Sequence, residues 1–196
     1  PASGKVMLPF EASNLSAVDV TIVRVYEDNI PQFFQENSWD GGYELRRVGK
    51  PVVQKTIRLD DDKSLNLNKK NRFTLDIDQL LRAEPGAIYR VVIGFRQEYS
   101  LYNCNLGSPA LKKNVGSDDE YGEYEGGNTG KVQDEDDDFW QRYDNYYPEN
   151  YSWNERFDPC KNSYYTKDRW AKRNIIASNI GLIAKRGNDN SMTVAV

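Results

Sequence analysis

Residues 85–102 constrain the fold more than any other part of the chain. The odd positions read Tyr89, Val91, Ile93, Phe95, Tyr99 and Leu101, whereas Arg90, Arg96, Glu98 and Ser100 occupy even ones. A period of two belongs to an extended ribbon whose successive side chains point to opposite faces, so the stretch predicts a long, half-buried β-strand with one apolar and one largely charged face. Pro85-Gly86 supplies the turn that launches it. Tyr89 stands three residues after that glycine, where a tyrosine opening a strand can bond back to the preceding corner.

Upstream, Phe73, Leu75 and Ile77 alternate with Thr74 and Asp76, and Asp78-Gln79-Leu80-Leu81 makes a short turn before the proline. Strand, half-turn of helix, Pro-Gly and a long strand opened by tyrosine form the corner construction of immunoglobulin-like sandwiches. The expected fold is therefore all-β, an antiparallel sandwich. Earlier strands fit. Lys5 to Ala12 reads as a first strand, placed at an edge or a bulge because Pro9 cannot donate a ladder hydrogen bond. Val18, Val20 and Ile22 hold one apolar phase and Val23 and Val25 the other, a one-residue slip of the β-bulge kind. Asn29 to Asn37, with Phe33-Phe34, is a short helix or a covering loop, and Trp39-Asp40-Gly41-Gly42 is a turn. Tyr43 to Leu59 reads as two strands or one broken strand. Asp60-Asp61-Asp62-Lys63 is a solvated turn, since it lacks the alternating ligands, central glycine and later glutamate of a calcium loop.

Charge is unevenly placed. Between Ser117 and Asp144 eleven acidic residues face only Lys131 and Arg142, so that segment carries a net −9 within a chain of −4 overall. No coherent basic stripe lies elsewhere, which argues against nucleic acid as a partner. The runs Asp118-Asp119-Glu120 and Asp134 to Asp138, with Gly126 to Gly130 between them, bury too little to offset their ordering entropy, and residues 103–160 are expected to form a long, mobile, irregular insertion. Cys104 and Cys160 flank it. Bonded, they would close a loop of about 57 residues, stabilise the fold by about 4 kcal/mol on the chain-entropy account, and place the protein in an oxidising compartment; the other reading is two free buried thiols.

The chain has no histidine, which removes the usual general base of serine and cysteine hydrolases and every histidine-based metal site. No catalytic residue, metal ligand or cofactor is expected. No run of 18 apolar residues is present and the first residues carry no signal-peptide pattern, so no membrane insertion by this stretch is expected. From Phe139 to Phe157 the chain is rich in aromatic rings, which either pack over the sandwich or form a binding surface. Tyr164 to Arg173 reads as a short helix or linker, and 173–196 as a linker with an opening hairpin that stops in mid-strand.

Asn14-Leu15-Ser16-Ala17-Val18-Asp19-Val20, Val48 to Leu59, Phe73-Thr74-Leu75-Asp76 and Pro85 to Val91 together resemble an early macroglobulin-like domain of the bacterial alpha-2-macroglobulin proteins. Ser178 to Lys185 resembles the entry into the next such domain. The resemblance implies a macroglobulin-like domain over 1–172 and the start of a following one over 173–196. It further implies a large periplasmic or cell-envelope protein, lipid-anchored through the parent chain, that traps proteases. The partners would be neighbouring domains of the same parent and, through the whole protein, target proteases. The family's thioester joins a cysteine to a glutamine three residues on. Cys104 is followed by Asn105-Leu106-Gly107 and Cys160 by Lys161-Asn162-Ser163, so neither forms it, and the expected role is scaffold rather than enzyme or bait.

Two other readings compete. A carbohydrate-binding sandwich would stack sugars on Trp140, Tyr143, Tyr147 and Trp153. A glycosidase would need two acids fixed at a set separation, but the acids cluster in the segment expected to be mobile.

Overall fold

The computed structural model describes residues 6–104, 135–178, 183–186 and 191–195. Its strands form antiparallel sheets and its helices are few. Strand β1 (Met7–Ala12) pairs with β4 (Asn71–Asp76) in a two-stranded sheet. The central sheet runs β3 (Gly49–Arg58), β2 (Ala17–Val25), β5 (Ile88–Gly94), β6 (Ala171–Ile176). Pro9 lies in β1, whose other edge has no strand partner among the described residues, as its missing N–H requires.

The phase slip in β2 is a register shift between Ile22 and Val23 against β3. Its consequence is two apolar faces on one strand. Val18, Val20 and Ile22 join Tyr89, Val91 and Ile93 in a core facing β1 and β4, where Leu8, Phe10 and Phe73 pack on it. Val23 and Val25 join Ile88 in a second core on the other side, with Phe33, Leu45 and Val48. Helix α1 (Ile30–Glu36), the short helix allowed for residues 29–37, brings Phe33 there, with Pro31 in its first turn. Helix α2 (Ile77–Leu80) is the half-turn before the corner.

β5 departs from the expected half-buried ribbon in two ways. All seven of its residues are buried, because the second core covers the face on which Arg90 was expected to meet water. It also stops at Gly94, where the Trp170 ring would stand 3.1 Å from any added Cβ. Phe95 to Ser100 then leave the sheet through a single helical turn at Gln97–Tyr99. The corner itself is as expected: Gly86 takes φ +88°, and the Glu84 N–H donates to the Tyr89 hydroxyl at 2.8 Å.

Much of the acidic stretch, including the run 118–120 and the glycines 126–130, lies outside the described residues. The remainder of the supposed insertion is built into the body. Helix α3 (Glu135–Asp144) buries Phe139 and Trp140 in the second core, and stacking of Phe139 on Tyr143 at 5.5 Å secures the next turn. Single helical turns at Trp153–Glu155, Asn162–Tyr164 and Lys167–Arg169 lead into β6. Position 172/173, expected as a domain boundary, therefore falls inside the fourth strand of the central sheet. Strands β7 (Ile183–Arg186) and β8 (Met192–Ala195) form a separate antiparallel hairpin. Among the described residues no helix is long and apolar enough to cross a membrane.

Candidate functional site

Cys104 and Cys160 are bonded, with Cα atoms 5.4 Å apart. The bond ties the exit from the β5 region to the turns that precede β6, and the Gln97 amide reinforces it by donating to the Cys160 carbonyl at 3.0 Å. Both ends of the intervening stretch are thereby held on the same side of the body.

The four rings named for sugar stacking separate. Trp140, at 5% exposure, is a core residue on α3 and is not available to a ligand, and half-buried Tyr143 packs against that core, meeting Trp140 edge to face at 5.6 Å. Tyr147 and Trp153 are 68% and 65% exposed. Tyr147 leans edge-on against Tyr151, while the Arg156 guanidinium lies 3.7 Å from the Trp153 ring and 4.2 Å from that of Phe157. One face of Trp153 is thus taken by a cation, an arrangement favoured by the ring quadrupole.

Two polar clusters lock the frame. The first is buried: Arg90 Nη1 donates to the carbonyls of Asp40 (3.0 Å) and Gly41 (2.7 Å) and to Asn174 Oδ1 (3.0 Å), while Asn174 Nδ2 donates to the carbonyls of Trp39 and Gly41. Asn174 sits opposite Arg90 across β5 and β6, so the pair pins the 39–42 turn onto the sheet. Gly42 is required there, since a Cβ would fall 2.5 Å from the guanidinium carbon. The second cluster gathers on Asp19. Its Oδ1 accepts from Thr56 Oγ1 (2.7 Å) and the Tyr99 hydroxyl (2.8 Å), and its Oδ2 from Arg96 Nε (2.8 Å). Burial, then the Asp19 carboxylate, push the Tyr99 phenol well above the usual tyrosine range. Arg96 is held above its usual value against burial by the same carboxylate. These groups fix a loop and offer no unshared nucleophile.

One groove among the described residues was not visible in the sequence. A groove of about 670 Å³ runs between β1 and β6, floored by Leu8, Phe10, Val91 and Ile93, and rimmed on the β6 side by Arg169, Lys172 and Arg173. Residues 164–173 read as a polar helix or linker because their strand alternation is only a few residues long; the one signal was Ala171, Arg173 and Ile175 on one face against Lys172 and Asn174 on the other. Among the described residues no group of three or more acidic or cysteine side chains stands close enough to hold a metal ion.

Fold and site define a class: an antiparallel, all-β body whose long excursion is clasped by a disulfide and whose polar clusters are frame-locking. Comparison with protein-family models, curated proteins and solved structures finds no match to the chain.

Proposed function

We propose that this chain is a structural scaffold domain of a large bacterial alpha-2-macroglobulin-like, protease-trapping protein of the cell envelope. The observation that carries the reading is the corner before β5, where the Tyr89 hydroxyl accepts from the Glu84 N–H beside a left-handed Gly86. An immunoglobulin-type sandwich uses this device at the entrance to its central late strand. Strand order supports it too. The antiparallel sheets β1-β4 and β3-β2-β5-β6, with a shared apolar core between them, are consistent with a layered sandwich. A disulfide closing a loop of 56 residues in sequence separation fits an oxidising compartment. The buried arginine cluster and the partly exposed aspartate cluster spend their polar groups on rigidity, which suits a piece that bears load and performs no chemistry. The fold argument is one of analogy, and the role rests on the resemblance of the motifs.

The test uses the full polypeptide that carries this chain, incubated with trypsin. Enclosure of a protease shields it from large substrates but not small ones. Cleavage of a protein substrate should fall while cleavage of a small chromogenic peptide persists. If both activities are unchanged, the trap reading fails.

A second reading, a carbohydrate-binding module, keeps only Tyr147 and Trp153 of its four rings, both exposed. Titration calorimetry with soluble glycans, repeated on Trp153→Ala, decides it: no heat of binding to the native chain removes it.

A further inference from the structure

We propose that residues 145–170 form a self-bonded lobe latched onto the sheets by the Cys104–Cys160 disulfide, and that reduction of this bond by a small dithiol releases the lobe as a unit while the central sheet stays folded. The inference is independent of the scaffold reading and concerns what holds one wall of the groove in place.

Where its bonds go defines the lobe. Between α3 and β6 the chain makes single helical turns at Trp153–Glu155, Asn162–Tyr164 and Lys167–Arg169. Among the described residues its main-chain hydrogen bonds close within the segment or onto α3, as the Asn145 N–H does on the Gln141 carbonyl. Side chains repeat the pattern. The Ser152 N–H donates to Ser163 Oγ, the Asn162 amide to the Glu149 carbonyl, the Tyr165 hydroxyl to the Pro159 carbonyl and Arg169 to the Arg156 carbonyl. The two ends meet where the Tyr146 ring packs on Trp170 at 4.8 Å. A segment that satisfies its own polar groups in this way can open and close as one cooperative unit.

Its hold on the sheets is local. No main-chain hydrogen bond joins 145–170 to β1 through β5 among the described residues. Side-chain ties gather on the strip that follows β5: the disulfide itself, the Gln97 amide on the Cys160 carbonyl, and the Tyr165 ring edge-on to Phe95 at 5.8 Å. Tyr147, Trp153 and Phe157 are exposed, so much of the lobe's aromatic surface adds nothing to that hold. Tyr164, Tyr165 and Arg169 of the lobe line the groove together with Leu8 and Phe10 of β1, and so does Tyr102, two residues before Cys104. With the bond intact the lobe wall is fixed against β1; with it broken the wall moves on its connections to α3 and β6.

The chemistry is an exchange of two electrons. Cys104 is exposed and Cys160 half-buried, so a dithiol reaches the bond from solvent. One of its thiolates attacks a cysteine sulfur and breaks the Sγ–Sγ bond, and its second thiol then closes the reagent's own disulfide ring and displaces that cysteine. Two electrons and two protons pass to Cys104 and Cys160, which end as thiols.

The experiment follows amide exchange by mass spectrometry on the chain of 196 residues, oxidised and after dithiothreitol. Peptides within 146–169 should exchange at least about tenfold faster once the bond is reduced, with those of Ala17–Val25 and Ile88–Gly94 unchanged. Reoxidation should restore the slow exchange, and Cys104→Ser with Cys160→Ser should match the reduced chain without reagent. Gln97→Ala keeps the bond and should speed the lobe far less than reduction does. Unchanged exchange in 146–169 on reduction would overturn the proposal, as would a Gln97→Ala effect equal to that of reduction. So would loss of protection in β2 and β5 along with the lobe, since the lobe would then be no separate unit.

Discussion

Arg90 is buried at 7% exposure, and carbonyl and amide oxygens accept from its Nη1. Bonds from a charged donor to neutral acceptors inside a fold are worth more than neutral pairs, and leaving the acceptors unmade costs their full desolvation. Arg90→Met preserves the apolar stem and removes the donors; urea unfolding should show a loss of about 3 kcal/mol. Gly42→Ala should do comparable damage, because a methyl group 2.5 Å from the guanidinium carbon displaces it from the oxygens that Nη1 bonds. A loss under about 1 kcal/mol for either would mean the turn at 39–42 is not anchored by this residue. Tyrosine titration offers a second test at this scale. Burial raises the phenols of Tyr99, Tyr143, Tyr146 and Tyr165 above the value of about 10 they have in an unfolded chain. A raised folded value means the neutral form is the one the fold prefers, so the contribution is complete below about pH 10 and lost as pH rises beyond it. Absorbance at 295 nm should show late-titrating tyrosines whose ionisation coincides with alkaline unfolding, and Tyr99→Phe should lessen the fall in stability above that pH.

At the scale of elements, α3 decides how the central sheet is covered. Phe139 and Trp140 seal the face of Val23, Val25 and Ile88 that would otherwise be wet. Truncating a buried indole removes transfer free energy and leaves a cavity, so Trp140→Ala should cost about 3–4 kcal/mol. Trp153→Ala, exposed and resting on Arg156, should cost no more than about 1 kcal/mol in the same denaturation assay. Equal losses would mean that α3 is not the cover of the sheet. β5 shows how such packing alters a strand. Its alternation marked the ribbon and the corner that opens it, but alternation describes one face at a time. Burial of the second face depended on residues some 45 positions downstream in sequence, as the α3–β5 core requires.

Taken whole, the molecule is a frame in which distant segments are joined at a few points, and the disulfide is the strongest of them. Reduction, or Cys104→Ser with Cys160→Ser, releases the loop between them and should lower unfolding free energy by about 4 kcal/mol on the chain-entropy account. Comparison of urea midpoints with and without dithiothreitol measures it. An unchanged midpoint would show that the turns from Trp153 to Arg169 hold without the bond, through contacts such as the Tyr165 hydroxyl donating to the Pro159 carbonyl at 2.6 Å.

Local chemistry determined what could be read from the chain alone. Pro9 restricted β1 to an edge, the phase change at Ile22 and Val23 required a bulge, and Pro85-Gly86 with Tyr89 specified a corner, because each follows from the stereochemistry of a few adjacent residues. Two cysteines flanking an acidic stretch likewise pointed to their own bond. Tertiary structure alone decided that Arg90 faces carbonyls instead of water, that Trp140 is core with Tyr143 packed against it while Tyr147 and Trp153 are surface, and that Ala171–Ile176 completes the central sheet. It also decided that, among the described residues, an apolar groove lies between β1 and β6. Each of those outcomes depends on which remote segment reaches a face first, and burial is a property of the pair of surfaces that meet, carried by neither sequence on its own.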